Sequence, residues 1–592
     1  MDRDEKLSRL RKLMEKAGIA AVIIPNSDPH SSEYLHPHWK VRNWFSGFTG
    51  SAGTLVVTKK ESGLWTDFRY YIQAAAELSG SEIKLYKDGL IDTPSISDFL
   101  KEKLKEGDSI GLDGSLFPTS LYDSFKKDLD ENNIYFIRDF DPAKTLWLDR
   151  PSRPNSKCFE LDIKYCGESR EEKLNRVRDV MRKRNLDYYI ISSLADIAWL
   201  FNIRGNDVDY TPLVVSYALI SLKDAKLFIE SSKLSDSVVV NLKKSDIGIY
   251  DYDLIGDELQ KLKEGTKIYY MPEFLNCYLS GIIPQEIKQI KGLDITAELK
   301  CIKNETELKN IRLAMERDGV ALVKFFSKFE NDRKERTFTE FSLAEDLRNA
   351  RLSMPGCQDE SFNPIIGFES NGALCHYSAK EESAKIIGNR GLLLIDSGGQ
   401  YLEGTTDITR TISLGNPTVE EILHYTLVLQ GHVRLAMAKF PEGTTGAQLD
   451  ILARQPLWDN NLNYGHGTGH GVGFFLGVHE GPQSISPKGF KFCLKEGMVT
   501  SNEPGLYIEG KHGIRIENLV YTQFYKNGLD TKFLSFENLT LYPYDISLID
   551  RDILLEKEVL WINNYHKEVF ERLSPYLSTS EVKWLEDKTR EI

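Results

Sequence analysis

Histidine is concentrated in one short stretch of this chain. Residues 463–482 read Asn-Tyr-Gly-His-Gly-Thr-Gly-His-Gly-Val-Gly-Phe-Phe-Leu-Gly-Val-His-Glu-Gly-Pro and hold His466, His470 and His479, three of the eleven histidines in 592 residues. Glycine takes every second position from Gly465 to Gly473. In an extended segment that spacing leaves one face as bare backbone and sets His466, Thr468, His470 and Val472 on the other. A helix is disfavoured, since each interior glycine costs about 0.5–1 kcal/mol relative to alanine. The pattern predicts two imidazoles held over a surface that another group approaches closely, with His479 a third nearby. The plain alternative is a glycine-rich loop with incidental histidines. A phosphate-cradling loop is a further one, but the segment lacks the P-loop lysine and no clean order of strand, GxGxxG and helix follows.

Carboxylates flank this stretch in pairs. The apolar run Gly391-Leu-Leu-Leu-Ile-Asp ends on Asp396, and after a turn-rich link Thr405-Thr-Asp-Ile-Thr-Arg carries Asp407. An antiparallel hairpin of these two strands lets the carboxylates converge. Gly497-Met-Val-Thr-Ser-Asn-Glu-Pro and Gly513-Ile-Arg-Ile-Glu-Asn-Leu-Val repeat the arrangement with Glu503 and Glu517. One acid at a strand end is commonplace; two strand pairs with two acids each, around a histidine-rich segment, are not. Four carboxylates gathered without compensation repel and take up protons. Cations resolve this. Oxygen-rich ligation with one imidazole suits hard or borderline divalent ions, manganese first, with zinc or cobalt as alternatives. Two ions sharing bridging carboxylates would sit about 3.5–4 Å apart and hold an ionised water as nucleophile. A calcium loop would need close-spaced acids of the DxDxDG kind, which are absent. Cys375 beside His376 admits a nucleophile reading, but a small buried filler is the expectation.

The elements that must position these groups form a patterned chain. Leu7 to Ile24 aligns without gaps on Leu174 to Ile191, each a helical apolar period running into a β-type run. A similar phrase follows each copy, Trp44-Phe-Ser-Gly-Phe-Thr-Gly and Trp199-Leu-Phe-Asn-Ile-Arg-Gly. The front half therefore reads as two copies of one α/β domain, with strands at Thr54 to Thr58, Ala218 to Leu222 and Lys226 to Glu230. Asp149-Arg-Pro-Ser-Arg-Pro-Asn-Ser is the linker between them. A long amphipathic helix from Glu305 opens the last part. Further helices are expected over Thr339 to Ala350, Val419 to Lys439, Gly446 to Trp458, Leu554 to Leu573 and Ser580 to Thr589. The boundaries are placed at 1–155, 156–303 and 304–592.

Composition narrows the functional classes. A net charge of −13 argues against nucleic-acid and anionic-membrane partners. No apolar run approaches the roughly 20 residues that span a bilayer. The first residues lead into an amphipathic pattern rather than a signal-peptide core. Seven scattered cysteines without a CxxC read as reduced thiols, which with the start of the chain predicts a cytoplasmic protein.

Asp396, Asp407, His470, Glu503 and Glu517, in that order, resemble the five-ligand pattern of the pita-bread metallopeptidases. The phrases NGALCHYSA, LLLIDSGGQYLEGTTDITRT, HGTGHGVGFFLGVHEGP and NEPGLYIEGKHGIRIEN are similar to those of the Xaa-Pro aminopeptidase (aminopeptidase P) family, specifically its three-domain cytosolic form. SEYL, FTGSAGT, WTDFRYYIQAA, DRPSRP, IAWLFNIRG and WINNYH extend the resemblance over nearly the whole chain. It implies an α/β (α+β) protein with two creatinase-type N-terminal domains before a pita-bread catalytic domain. It implies a homodimer with two manganese ions, Asp396 on one, His470 and Glu503 on the other, Asp407 and Glu517 bridging. His376, His466 and His479 match the family's substrate and proton-handling histidines, Tyr507 and Arg515 fall in its site, and Arg69 matches an arginine of the substrate cleft. The implied reaction is hydrolysis of the bond between an N-terminal residue and a following proline by a hydroxide held between the ions, with Glu503 shuttling its proton. Prolidase and methionine aminopeptidase share the catalytic fold but normally lack the duplicated front half. Relatives that have lost their ligands serve as binding modules, a reading that five intact ligands disfavour.

Overall fold

The repeat becomes two sheets of identical strand order. In the computed structural model, which describes residues 1–592, the first copy orders its strands Ile83–Lys87, Ser62–Thr66, Thr54–Thr58, Ala21–Ile24, Ser109–Gly111 and Tyr135–Ile137. The second orders Ile247–Tyr250, Ala225–Ile229, Ser216–Ser221, Tyr188–Ile191, Lys267–Tyr270 and Lys288–Lys291. Each sheet combines an antiparallel meander with parallel outer strands in the same places.

The leading helices match as closely. Arg3–Lys16 buries Leu7, Leu10 and Met14, and Arg170–Lys183 buries the aligned Leu174, Val177 and Met181. Three apolar residues on one stripe suffice to dock a helix on a sheet, each fully buried side chain contributing about 1.5–3 kcal/mol. Asp2 starts the first of these helices by accepting from the Glu5 N–H. The expected linker, 149–156, is a turn at its first residue and then part of a stretch, 150–158, without regular secondary structure.

The chain divides into two compact units. Met1–Glu160, Arg170–Asp209 and Leu213–Thr296 form the first, which holds both repeated sheets. Leu161–Ser169, Tyr210–Pro212 and Ala297–Ile592 form the second. Its longest element is the helix Glu305–Asp332, opened by a capping box in which Asn304 and Glu307 satisfy each other's backbone N–H. The helices Glu340–Leu352, Val419–Ala436, Gly446–Trp458, Glu556–Leu573 and Thr579–Lys588 agree with the apolar periods apart from their ends. Phe325, Leu393, Val428, Ile514 and Ile562 belong to one buried core in this unit.

Two antiparallel sheets of the second unit carry the acids. Leu392–Ser397 lies between Ile365–Phe368 and Ile408–Ser413, with Asp396 opposite Thr409. The larger sheet runs Lys439–Pro441, Lys532–Asn538, Asn518–Asn527, Val499–Asn502, Gly469–Gly471 and Glu480–Ile485. Asn502 pairs with Asn518, so Glu503 and Glu517 stand one residue beyond the ladder, side by side.

Two expectations need correction. The alternating glycines form a strand only over Gly469–Gly471, and residues 463–468 are turns and loop. Close approach explains why the strand is glycine: a Cβ at Gly469 would lie 2.0 Å from the Ser501 carbonyl oxygen, and one at Gly471 2.2 Å from that of Glu480. The stretch Gly513 to Val520 is also not one strand. His512–Arg515 pairs back on Gly505–Ile508 as a separate hairpin before Asn518 enters the sheet.

Candidate metal centre

His470 stands where the two acid pairs meet. Its Nδ1 lies 3.0 Å from the carbonyl oxygen of Gly471, which can only accept, so Nδ1 carries the ring proton. Burial pushes the imidazole down to about 3, which keeps the ring neutral. The bare Nε2 then points at Glu503 Oε1, 3.3 Å away, and Asp407 Oδ2, 3.5 Å away. A lone pair facing two carboxylate oxygens is unfavourable unless a cation or a proton lies between them. Asp407, His470 and Glu517 each offer a ligand atom within 4.8 Å of the other two.

The carboxylates show the same deficit of positive charge. Burial, then the nearby Glu517, Asp396 and Glu503, raises Asp407 well above the usual carboxylate range. Burial and the charges of Glu503 and Asp396 do the same to Glu517. Glu503 is raised to about 8, chiefly by burial, with Arg515 opposing. Asp396 Oδ1 is buried with no hydrogen-bond partner. These groups fit bound divalent cations: acidic oxygen donors in excess, one oriented imidazole, and an orphaned acceptor.

Arg515 sets its guanidinium against the carboxylates of this group and organises the opposite wall. Its two terminal nitrogens donate to Asp396 Oδ2 at 2.5 Å and to the Tyr507 hydroxyl at 2.6 Å. Its Nε reaches Thr409 Oγ1 at 3.3 Å, and that hydroxyl donates to Glu517 Oε2 at 2.8 Å. His466 donates through Nδ1 to the Gly467 carbonyl at 2.7 Å, leaving Nε2 to accept from Tyr507 at 2.9 Å. Asp396, Arg515, Tyr507 and His466 thus form one continuous chain of hydrogen bonds. His479 stands with its ring 4.4 Å from that of His470, nearly perpendicular, and is solvent-exposed. His376 is exposed as well and close enough to His466 for its charge to be felt there. Cys375 is half-buried rather than a buried filler, because the segment around it runs along the surface. Arg69 belongs to the first unit, where it forks onto both oxygens of Asp67 at 2.8 and 2.7 Å.

Sequence reasoning missed the residues that hold the histidine loop. Asp450 and Arg454, one turn apart on Gly446–Trp458, form a buried ion pair at 2.6 Å. Arg454 donates onward to the carbonyls of Tyr464 and His466, both at 2.7 Å. Thr468 donates to Asp450 at 2.6 Å. A second buried group, Lys300 and Lys303 on Glu480 at 3.0 and 2.9 Å, anchors the residue after His479. The i,i+4 spacing of Asp450 and Arg454 was visible, but such pairs are ordinarily solvated.

Comparison with known proteins defines the class first. Residues 6–141 and 149–307 each match the creatinase/prolidase N-terminal domain, 309–523 match the metallopeptidase family M24, and 532–592 match its C-terminal region. Among full-length relatives, Xaa-Pro aminopeptidase 1 of Dictyostelium discoideum is 38% identical over 99% of this chain and 96% of its own length. The crystal structure of the X-prolyl aminopeptidase of Caenorhabditis elegans superposes with a TM-score of 0.95 at 34% identity, covering all of both chains. A Xaa-Pro dipeptidase of Bacillus anthracis, 23% identical with a TM-score of 0.52 over 64% of this chain, shares the fold alone. The chain belongs to the Xaa-Pro aminopeptidase family of M24 metallopeptidases, with two creatinase-type domains before the catalytic one.

Proposed function

We propose that this protein releases the N-terminal residue from peptides whose second residue is proline, using two divalent metal ions. The observation that carries this reading is the full-length likeness to proteins named for that activity, in sequence and in fold. Of these, the nematode enzyme is described as cytosolic with a di-nuclear active site. The centre's surplus of carboxylates supports the same reading. Asp396 would hold one ion and His470 with Glu503 the other, Asp407 and Glu517 serving both. The oxygen-rich donor set favours Mn(II) over Zn(II) or Co(II). When bound, the ions supply a Lewis acid for the scissile carbonyl and an activated water.

The chain's own residues do the rest. Glu503 takes the proton of the attacking water and passes it toward the departing proline nitrogen. The Gly471 carbonyl fixes the His470 tautomer, as backbone acceptors do for ligating imidazoles. Arg515 and Thr409 hold Asp396 and Glu517 against their mutual repulsion. His479 and His376, both exposed, hydrogen-bond the substrate as its carbonyl becomes tetrahedral. His466 and Tyr507 line the substrate wall, and Arg69 contributes to binding of longer peptides. Because the bond before proline has no N–H, its recognition rests on ring shape and carbonyl contacts rather than on a donated hydrogen bond. We further assign domains to 1–155, 156–303 and 304–592, a homodimeric state, and a cytoplasmic location. No helix is long and apolar enough to cross a membrane.

Hydrolysis of a Xaa-Pro-Xaa tripeptide and of a Xaa-Pro dipeptide, with and without chelator, tests this reading. Tripeptide cleavage that stops on chelation and returns with Mn(II) is expected. Turnover of the dipeptide only would make the protein a prolidase, and none with metal restored would leave a binding module.

A further inference from the structure

A buried pair of histidines lies on the far side of the hairpin that carries Tyr507 and Arg515. His424, on the helix Val419–Ala436, places its Nδ1 3.0 Å from Nε2 of His512, at the start of the strand His512–Arg515. Both residues are buried, at 7% and 4% exposure, and the ring centroids stand 5.3 Å apart. Burial lowers both imidazoles, so each is unprotonated on one nitrogen at neutral pH. Glu420 lies one helical turn before His424, on the same face, and is half-exposed while pairing with Lys511 at 2.9 and 3.0 Å. Glu421 is committed elsewhere, accepting from the backbone and hydroxyl of Thr418 at the helix start.

We infer that His424, His512 and Glu420 form a further binding site for a single borderline divalent cation, of which zinc is the type. Two nitrogens at about 2.0–2.1 Å on one tetrahedral ion are separated by about 3.3–3.4 Å, so the two imidazole nitrogens, 3.0 Å apart, need to open by only a few tenths of an ångström. One hydrogen bond between neutral imidazoles uses a single N–H and a single lone pair; if the donor ring tautomerises, losing that proton and gaining one on its other nitrogen, both facing lone pairs are free for an ion. Glu420 supplies the third ligand by leaving Lys511, an exposed ion pair that is easily exchanged. Water completes the shell. Two imidazoles and one carboxylate select zinc, copper or nickel, whereas the carboxylate-rich centre favours manganese, so the two sites discriminate by donor chemistry. An ion here ties the hairpin to the helix, with Tyr507 and Arg515 on the same hairpin. The inference does not depend on the peptidase reading, because it concerns ligands outside that centre.

The test uses the full chain saturated with Mn(II) and then exposed to Zn(II), with diffraction recorded on both sides of the zinc edge. A zinc peak between His424 and His512 is expected in the wild type, together with a rise in melting temperature that H512Q and H424Q both lose while keeping their manganese. Zinc found only among the carboxylates, or nowhere, overturns the inference, as does a peak that persists in H512Q. If neither variant is soluble, the wild-type map decides.

Discussion

At the scale of single residues, His470 decides what the centre is. A neutral ring whose proton is committed to the Gly471 carbonyl presents only a lone pair to Glu503 and Asp407, so the gap between them calls for positive charge. Protons fill this role in the metal-free chain. Asp407, Glu503 and Glu517 all bind protons more tightly when folded, Glu503 up to about 8 against an ordinary 4.5. A carboxyl raised in this way stabilises the fold at low pH, below its unfolded value, and loses that contribution as the pH climbs through its folded value. Chelated protein should therefore melt at progressively lower temperature as the pH climbs from about 4.5 towards about 8, whereas Mn(II), replacing the protons, should flatten that decline. Melting curves of both forms across this range check the sign; parallel curves would contradict it. The acids were legible because they fall at or beside strand ends, and the histidine because alternating glycines set it apart. The tautomer and the role of Thr409 were not, since a threonine within Thr405-Thr-Asp-Ile-Thr-Arg reads as an ordinary strand residue until Arg515 and Glu517 are seen on either side of it.

Elements act as the clamps on these residues. The helix Gly446–Trp458 is amphipathic in sequence, yet its Asp450 and Arg454 point inward and hold the loop from Tyr464 to Thr468. Asp450→Ala would leave Arg454 buried without its counter-charge, a loss of about 3–5 kcal/mol. The variant should unfold at lower denaturant and retain less metal, because His466 and His470 lie in or beside the released loop. Wild-type stability with full metal content would contradict that role. Glycine spacing suggested a longer strand than the one that forms. Close approach to Ser501 and Glu480 holds Gly469 and Gly471 in the strand, and beyond it a Cβ at Gly473 would lie 2.8 Å from the Gly477 carbonyl oxygen, so that glycine is required by a close approach outside any strand. The split between the hairpin Gly505–Arg515 and the strand from Asn518 was likewise hidden, since both stretches carry the same alternating pattern.

For the whole molecule, the duplicated front half was readable in the alignment of two helices, and the aligned residues are those that dock them. The composition of the compact units was not readable in this way. Leu161–Ser169 and Tyr210–Pro212 lie within the second repeat yet belong to the second unit, and local periodicity carries no record of which distant segments a short stretch joins. Arg69→Ala should lower kcat/KM on longer Xaa-Pro peptides more than on tripeptides; equal kinetics at every length would remove that arginine from substrate binding. The central claim is that Asp396, Asp407, His470, Glu503 and Glu517 hold two ions. Anomalous diffraction at the manganese edge, from crystals grown in Mn(II), tests it most directly. Two peaks among these five side chains, lost in Asp407→Ala together with tripeptide cleavage, are the expected result. A map without manganese there, from protein that still cleaves before proline, would contradict the account.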